Sequence, residues 1–186
     1  MDKALPLYEK SLKITEDILG LNHPVTAGSY NNLAALYQYK KEFNKALPLY
    51  EKSLKIREEV LGLIHPDTAT SYNNLAALYY DEIILDKALH LYKKSLKIKE
   101  EVLGFNHPST ATTYGNIGFL YKDIKNCTQS NYYFTKAKEI YEKFDHLQYK
   151  VLELDKELKQ ITKKQKQEKK AKANQKGRFC KEYVEV

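Results

Sequence analysis

Residues 21–62 and 63–104 are identical at 29 of 42 positions, and residues 105–140 keep the pattern in degraded form. The dipeptides Leu19-Gly20, Leu61-Gly62 and Leu103-Gly104 mark the period, as do His23-Pro24, His65-Pro66 and His107-Pro108, every pair 42 residues from the next. A fixed period of roughly 20–50 residues means a stack of like units, each burying its apolar face on its neighbours. The product is an extended surface, which suits binding better than chemistry.

Each unit reads as two helices. In the first, Tyr30, Leu33, Ala34 and Tyr37 recur at i, i+3, i+4 and i+7, one face of a helix from Pro24 to about Tyr39. Tyr72, Leu75, Ala76 and Tyr79 repeat it, and Tyr114, Ile117, Gly118 and Tyr121 follow in the third unit. The second helix carries Ala46, Leu49, Tyr50, Ser53, Leu54 and Ile56, echoed by Ala88, Leu91, Tyr92, Ser95, Leu96 and Ile98. Ala34, Ala76 and Gly118 fall where the two helices must approach closely, and Tyr30, Tyr37 and Tyr50 are large enough to fill the space around that contact. Gly20, Gly62 and Gly104 suit the left-handed residue after a helix. Pro24, Pro66 and Pro108 suit the first turn of the next one, where no amide hydrogen is needed. The histidine before each proline is pushed out of the helical region and ends the link. Pro6 and Pro48 fall near the first turn of their helix, and His90 stands at that position in the third copy.

The run Tyr30-Asn31-Asn32-Leu33-Ala34-Ala35-Leu36-Tyr37, then Ala46 and Tyr50, then Leu61-Gly62 and His65-Pro66, resembles the tetratricopeptide repeat in its 42-residue, kinesin light chain-like variety. The resemblance covers residues 1–144. It implies an all-α, right-handed α-solenoid of antiparallel helix pairs. It also implies a protein–protein interaction scaffold or adaptor that binds an extended peptide segment of a partner in its concave groove. In that family five positions of the first helix build the groove. They map to Gly28, Asn31, Ala35, Gln38 and Tyr39, then Thr70, Asn73, Ala77, Tyr80 and Asp81, then Thr112, Gly115, Phe119, Lys122 and Asp123. An amide offers a donor and an acceptor together, so Asn31 and Asn73 are expected to hold a peptide backbone, with Tyr39, Tyr80 and Phe119 supplying apolar pockets. The other reading is that these asparagines satisfy backbone groups between neighbouring helices. Gly115 stands where the third asparagine would be, leaving two rungs. One lysine and two aspartates at the mapped positions do not favour acidic cargo.

The ends depart from the pattern. Residues 2–19 read as a second helix without its first, a half repeat whose apolar face awaits a partner. A truncated chain, a fragment, or self-association through this face would each account for it. At the other end Leu147, Val151, Leu154, Leu158 and Ile161 are spaced 4-3-4-3, a narrow seam. The reading is a helix over 145–175 that caps the last repeat, followed by a flexible tail over 176–186; a dimerising coiled coil through the 147–161 seam is the alternative.

The formal charge of +7 is unevenly placed. Nine Lys/Arg and one Glu lie between Thr162 and Lys181, and two glutamates follow, so residues 1–161 are close to +1. The cluster Lys163, Lys164, Lys166, Lys169, Lys170 and Lys172 reads as a solvated helix end, a nucleic-acid or nuclear-localisation patch, or a contact for an anionic membrane or acidic protein surface. The competing functional class is therefore a nucleic-acid- or anionic-surface-associated protein acting through this tail, with the repeats serving assembly. No aromatic is interleaved, which argues against base readout. Val184-Glu185-Val186 resembles a short ligand for strand-adding domains.

Other classes fall away. No apolar run reaches about 18 residues, so no segment spans a membrane. The start, Met1-Asp2-Lys3-Ala4-Leu5-Pro6, lacks the apolar core of a signal peptide. Cys127 and Cys180 are far apart, which points to a reducing compartment: cytoplasmic, or nuclear by way of the tail. His23, His65 and His107 would stand roughly 10 Å apart in adjacent repeats, whereas zinc holds its ligands at about 2.0–2.3 Å. No Gly-rich phosphate loop or His-Glu-x-x-His is present, and Cys127 has only Lys125 as a cationic neighbour. The expectation is no catalytic residue, no metal, no cofactor and no enzyme.

Overall fold

The structure is a computed structural model that describes the backbone of residues 4–182 and, within the last helix, side chains as far as Gln167 together with Lys170. The chain runs α1 (Ala4–Leu19), α2 (Pro24–Tyr39), α3 (Phe43–Leu61), α4 (Pro66–Asp81), α5 (Leu85–Val102), α6 (Pro108–Asp123) and α7 (Cys127–Tyr141), then a 3-10 turn (Asp145–Leu147) and α8 (Gln148–Glu182). Consecutive helices pack side by side as antiparallel pairs, α2 with α3, α4 with α5 and α6 with α7. This is the expected α-solenoid.

The links between units are built from three residues each. Gly20, Gly62 and Gly104 adopt φ of +85°, +88° and +86°, a region that residues with a Cβ rarely adopt. At Gly62 ψ is 168°, so the turn is more extended than the left-handed helical residue the sequence implies. The histidine that follows is extended, and its ring Nδ1 accepts the amide of the residue two further on, at 3.2 Å for His23, 3.1 Å for His65 and 3.0 Å for His107. Each ring therefore caps the N-terminus of α2, α4 or α6, where free amides need acceptors. Thr26, Thr68 and Thr110, fully buried, donate their hydroxyls to the carbonyls of Gly20, Gly62 and Gly104 at 2.9, 2.8 and 3.0 Å. The tight turn is thus tied to the next helix.

Inside each unit a small residue faces a buried ring. Ala34 and Tyr50 share one apolar cluster, Ala76 and Tyr92 another. In the third unit Gly118 faces Phe134 so closely that a Cβ there would lie 2.5 Å from the ring.

α8 packs against α7 as the next layer of the stack. Leu147, Val151, Leu154 and Ile161 are buried and Leu158 packs beside them, in the cluster that holds Ala137, Ile140 and Tyr141. The seam is therefore a cap within the protomer. Its apolar side chains are occupied, which removes the basis for a coiled coil through 147–161. The helical backbone continues to Glu182, past residue 175 and into the segment read as a flexible tail. Among the described residues no helix is long and apolar enough to cross a membrane.

Candidate functional site

α2, α4 and α6 approach one another directly, while α3, α5 and α7 touch mainly the helices before and after them. Successive elements come closest on the inside of a curved stack, so the first helices of the units line the inner face. The mapped positions lie on those three helices.

Side-chain bonds cross this face from each unit to the next with a constant offset. Asn74 Nδ2 donates to Asn31 Oδ1 at 2.8 Å, and Asn116 Nδ2 donates to Asn73 Oδ1 at 3.1 Å. Further along, Gln38 Nε2 donates to Asp81 Oδ2 at 2.7 Å, and Tyr80 donates its hydroxyl to the Asp123 carboxylate. In all four the partners are 43 residues apart. Asn116 was not among the mapped positions, yet it supplies the donor for the rung between α4 and α6. The substitution at Gly115 therefore does not interrupt the ladder. The signal was present in the sequence: Asn32, Asn74 and Asn116 recur at the period.

The two asparagines singled out differ. Asn31 is half-buried, and its Nδ2 makes no bond among the described residues. Asn73 is only 8% exposed; its oxygen accepts from Asn116 and from Thr113 at 3.2 Å, and its nitrogen lies 3.5 Å from Asn74 Oδ1. It holds repeats together and presents almost no surface. Ala35 and Tyr39 are exposed, Tyr39 at 66%, while Ala77 and Tyr80 are half-buried. Burial first, and then the Asp123 carboxylate, raise the pKa of the Tyr80 hydroxyl. Thr70 and Thr112 turn their hydroxyls to their own helix, onto Pro66 O at 3.0 Å and Pro108 O at 3.1 Å. Thr112 also lies 2.9 Å from the Tyr141 hydroxyl. Phe119 is packed edge-on against Phe134, with centroids 4.9 Å apart, and is less open than a free pocket wall. Lys122 is paired with Glu157 of α8 at 2.5 Å. The face thus carries Asp81 and Asp123 exposed and a lysine whose charge is already matched.

Behind the face two buried cations join neighbouring units. Arg57 donates to Asp67 O at 3.0 Å and Ser71 Oγ at 2.9 Å. Lys99 donates to Ser109 O at 3.3 Å and Thr113 Oγ1 at 3.0 Å. Burial pushes the pKa of Lys99 down to about 8 and lowers that of Arg57. Their residue types give no sign of burial in the sequence, although they stand 42 apart.

Of the basic cluster, Lys163, Lys164, Lys166 and Lys170 are exposed on α8, beyond the last residue that packs on α7. Lys159, Lys163, Lys166 and Lys170 line an open cleft of about 620 Å³ beside Lys138. The side chains of Lys169 and Lys172 and the residues Val184, Glu185 and Val186 lie outside the described ones.

Two tetratricopeptide repeat family models match the chain, one over residues 1–59 and again over 25–82, the other over 68–109. No curated protein matches it. Solved structures of similar fold include BtubC (BKLC) from P. vanneervenii, 23% identical over 95% of this chain and 74% of that one, with a TM-score of 0.70. A putative kinesin light chain from Podosopora anserina with nearly identical TPR-like repeats is 19% identical over 94% of this chain and 88% of that one, with a TM-score of 0.66. The apo form of RapI is 22% identical over 95% of this chain and 47% of its own length, with a TM-score of 0.71. With the period, the capped links and the stacked pairs in place, and a fold similar to that of the kinesin light chain-like repeats, the chain belongs to the tetratricopeptide repeat family.

Proposed function

We propose that this interaction scaffold holds an extended peptide segment of a partner protein against the inner face formed by α2, α4 and α6. The observation that carries the reading is the asparagine ladder. Its rungs fix the amides of Asn31, Asn74 and Asn116 in orientation; Asn31 and Asn116 are half-buried residues, and the Asn31 nitrogen and the Asn116 oxygen make no bond among the described residues. A donor and an acceptor held in place at two points along a groove match the alternating groups of a peptide main chain. Small side chains at Ala35 and Ala77 leave the backbone room to approach, and Tyr39 offers an apolar flank. Asp81 and Asp123 favour neutral or basic ligands over acidic ones.

The test is selection from a random peptide display library on the native chain, followed by binding of the enriched peptides to Ala35→Arg with Ala77→Arg. Both positions have accessible surface, so the helices are expected to persist by circular dichroism while binding falls at least tenfold. Undiminished binding by the folded double variant would sink the reading. A second reading, attachment to a polyanion through α8, draws on the exposed lysines beyond Ile161. It predicts binding to single-stranded RNA that weakens steeply between about 50 and 200 mM salt, whereas groove binding changes little.

A further inference from the structure

α1 presents a face that its counterparts do not. Its residues correspond, at an offset of 42, to those of α3: Ala4 to Ala46, Leu7 to Leu49, Tyr8 to Tyr50, Ser11 to Ser53 and Ile14 to Ile56. In α3 these side chains are covered by α2. Tyr50 is 2% exposed and Ile56 3%, against 40% for Tyr8 and 46% for Ile14. A cleft of about 380 Å³ lies here, lined by Ala4, Leu7, Tyr8, Ser11, Ser29 and Asn32. Among the described residues nothing fills it.

The molecule itself shows what fits such a cleft. Where α2 covers α3, Ser53 donates to Ala27 O at 2.8 Å and Tyr50 donates to Gln38 Oε1 at 2.8 Å. Asn74 of the next unit donates to Asn31 Oδ1 at 2.8 Å. Ser11, Tyr8 and Asn32 are the same three donors, at the same spacing, without those acceptors among the described residues. Ser95 repeats the serine bond to Ala69 O at 2.6 Å, so the pattern is general to the stack. A purely apolar partner would cover Leu7 and Ile14 but leave three polar donors desolvated and unpaired, which opposes binding at each of them.

We infer that this cleft is a docking site for a partner helix bearing a small–Asn–small–Gln stripe at 4-3-4 spacing, the chemistry of Ala27, Asn31, Ala34 and Gln38. The small residues let the helix close on Tyr8, a main-chain carbonyl receives Ser11, and the two amides receive Asn32 and Tyr8. The contact continues the α2–α3 and α2–α4 interfaces by one more layer. Its asparagine contact would add a rung at the N-terminal end of the inner-face ladder, whereas the contacts to Tyr8 and Ser11 lie on α1, outside the groove positions of α2, α4 and α6.

The probe is a peptide of residues 24–39, locked as a helix by a lactam between positions 32 and 36, which lie opposite the stripe. It is titrated onto the full chain labelled with nitrogen-15. Saturable amide shifts at Ala4, Leu7, Tyr8, Ser11 and Asn32 are expected by millimolar peptide. Ser11→Arg, at an exposed helical position, is expected to abolish them with helicity unchanged. A peptide with Asn31→Leu and Gln38→Leu is expected to bind at least tenfold more weakly. Absence of saturable shifts, or shifts unaltered by Ser11→Arg, overturns the assignment. Equal binding of the leucine peptide overturns amide recognition. A concentration-dependent dimer broken by Ser11→Arg, without peptide binding, makes a second copy the occupant and overturns it as well.

Discussion

Gly118→Ala is the sharpest probe of how the third unit is packed. In an ordinary helix interior the change stabilises by about 1 kcal/mol, because alanine loses less backbone freedom on folding. Burying one more methyl adds about 0.8 kcal/mol. Here the new Cβ would lie 2.5 Å from Phe134 Cδ1 and 2.6 Å from Cε1, where carbon atoms prefer about 3.5–4.0 Å. The ring must retreat by about 1 Å. It is fully buried and packed edge-on against Phe119 at 4.9 Å, so retreat disturbs the cluster that reaches Leu147 and Val151 of the cap. Overpacking of this kind costs about 1–3 kcal/mol and, with the ring this confined, lies near the upper end and exceeds the helix gain. We expect a net loss of about 1 kcal/mol, seen as a drop of about 2–4 °C in Tm. The first two units explain the arrangement. They place Ala35 and Ala77 where the third has Phe119, and tyrosines where it has Phe134. The Tyr50 hydroxyl is held by Gln38 at 2.8 Å, whereas Phe134 has no such tether and Phe119 presses on it. Urea unfolding of the single and double variants reads the effect. In a Phe119→Ala background the ring has room, and Gly118→Ala should become neutral or stabilising. If Gly118→Ala raises the urea midpoint equally in both backgrounds, close packing of Gly118 on Phe134 is refuted.

Lys99 gives a pH signature. It is 2% exposed and bonded only to neutral oxygens, and burial lowers its pKa from 10.5 to about 8. The unfolded chain therefore binds more protons between these values, so stability rises with pH from about 8, by on the order of 2 kcal/mol at pH 10. Above pH 10 the raised pKa values of Tyr30, Tyr72 and Tyr114, each from burial and then a glutamate partner, reverse the trend. Lys99→Met is expected to be more stable at pH 7 and to lack the rise; parallel urea-midpoint profiles from pH 7 to 10 for the two proteins would dismiss it. Ile83, 78% exposed at φ +63°, sits in a left-handed conformation that β-branched residues enter at about 1 kcal/mol or more. Ile83→Asn is expected to raise Tm by about 2–4 °C, and a fall in Tm would count against strain at this turn.

How much of this the sequence disclosed depended on which residues repeat visibly and which act through partners. Leu-Gly and His-Pro gave the boundaries because a positive φ and a missing amide hydrogen are demands of the local backbone, readable one residue at a time. The small residue at Ala34, Ala76 and Gly118 was legible for a similar reason: only close approach explains a period of small side chains inside an apolar face. What stayed hidden were pairings. Thr26, Thr68 and Thr110 look like ordinary helical threonines until the glycine carbonyl six residues back is seen to need a donor. The histidines are legible in the sequence only as extended residues before proline, while their capping nitrogens depend on a ring rotamer that spacing does not reveal. The asparagines show the limit most clearly. Asn31 and Asn73 occupy equivalent positions in sequence, yet one is half-buried with its amide nitrogen unbonded among the described residues and the other is closed in by Asn116 and Thr113 of the following unit. Equivalent positions in a repeat differ wherever their neighbours have drifted, and in this chain the drift is concentrated in the third unit. A role transferred by position from one unit to the next is therefore sound only where the following units also match: the asparagine rung recurs from α2–α4 to α4–α6, while the surroundings of Asn31 do not recur at Asn73, because Thr113 stands where the unit before has Ser71.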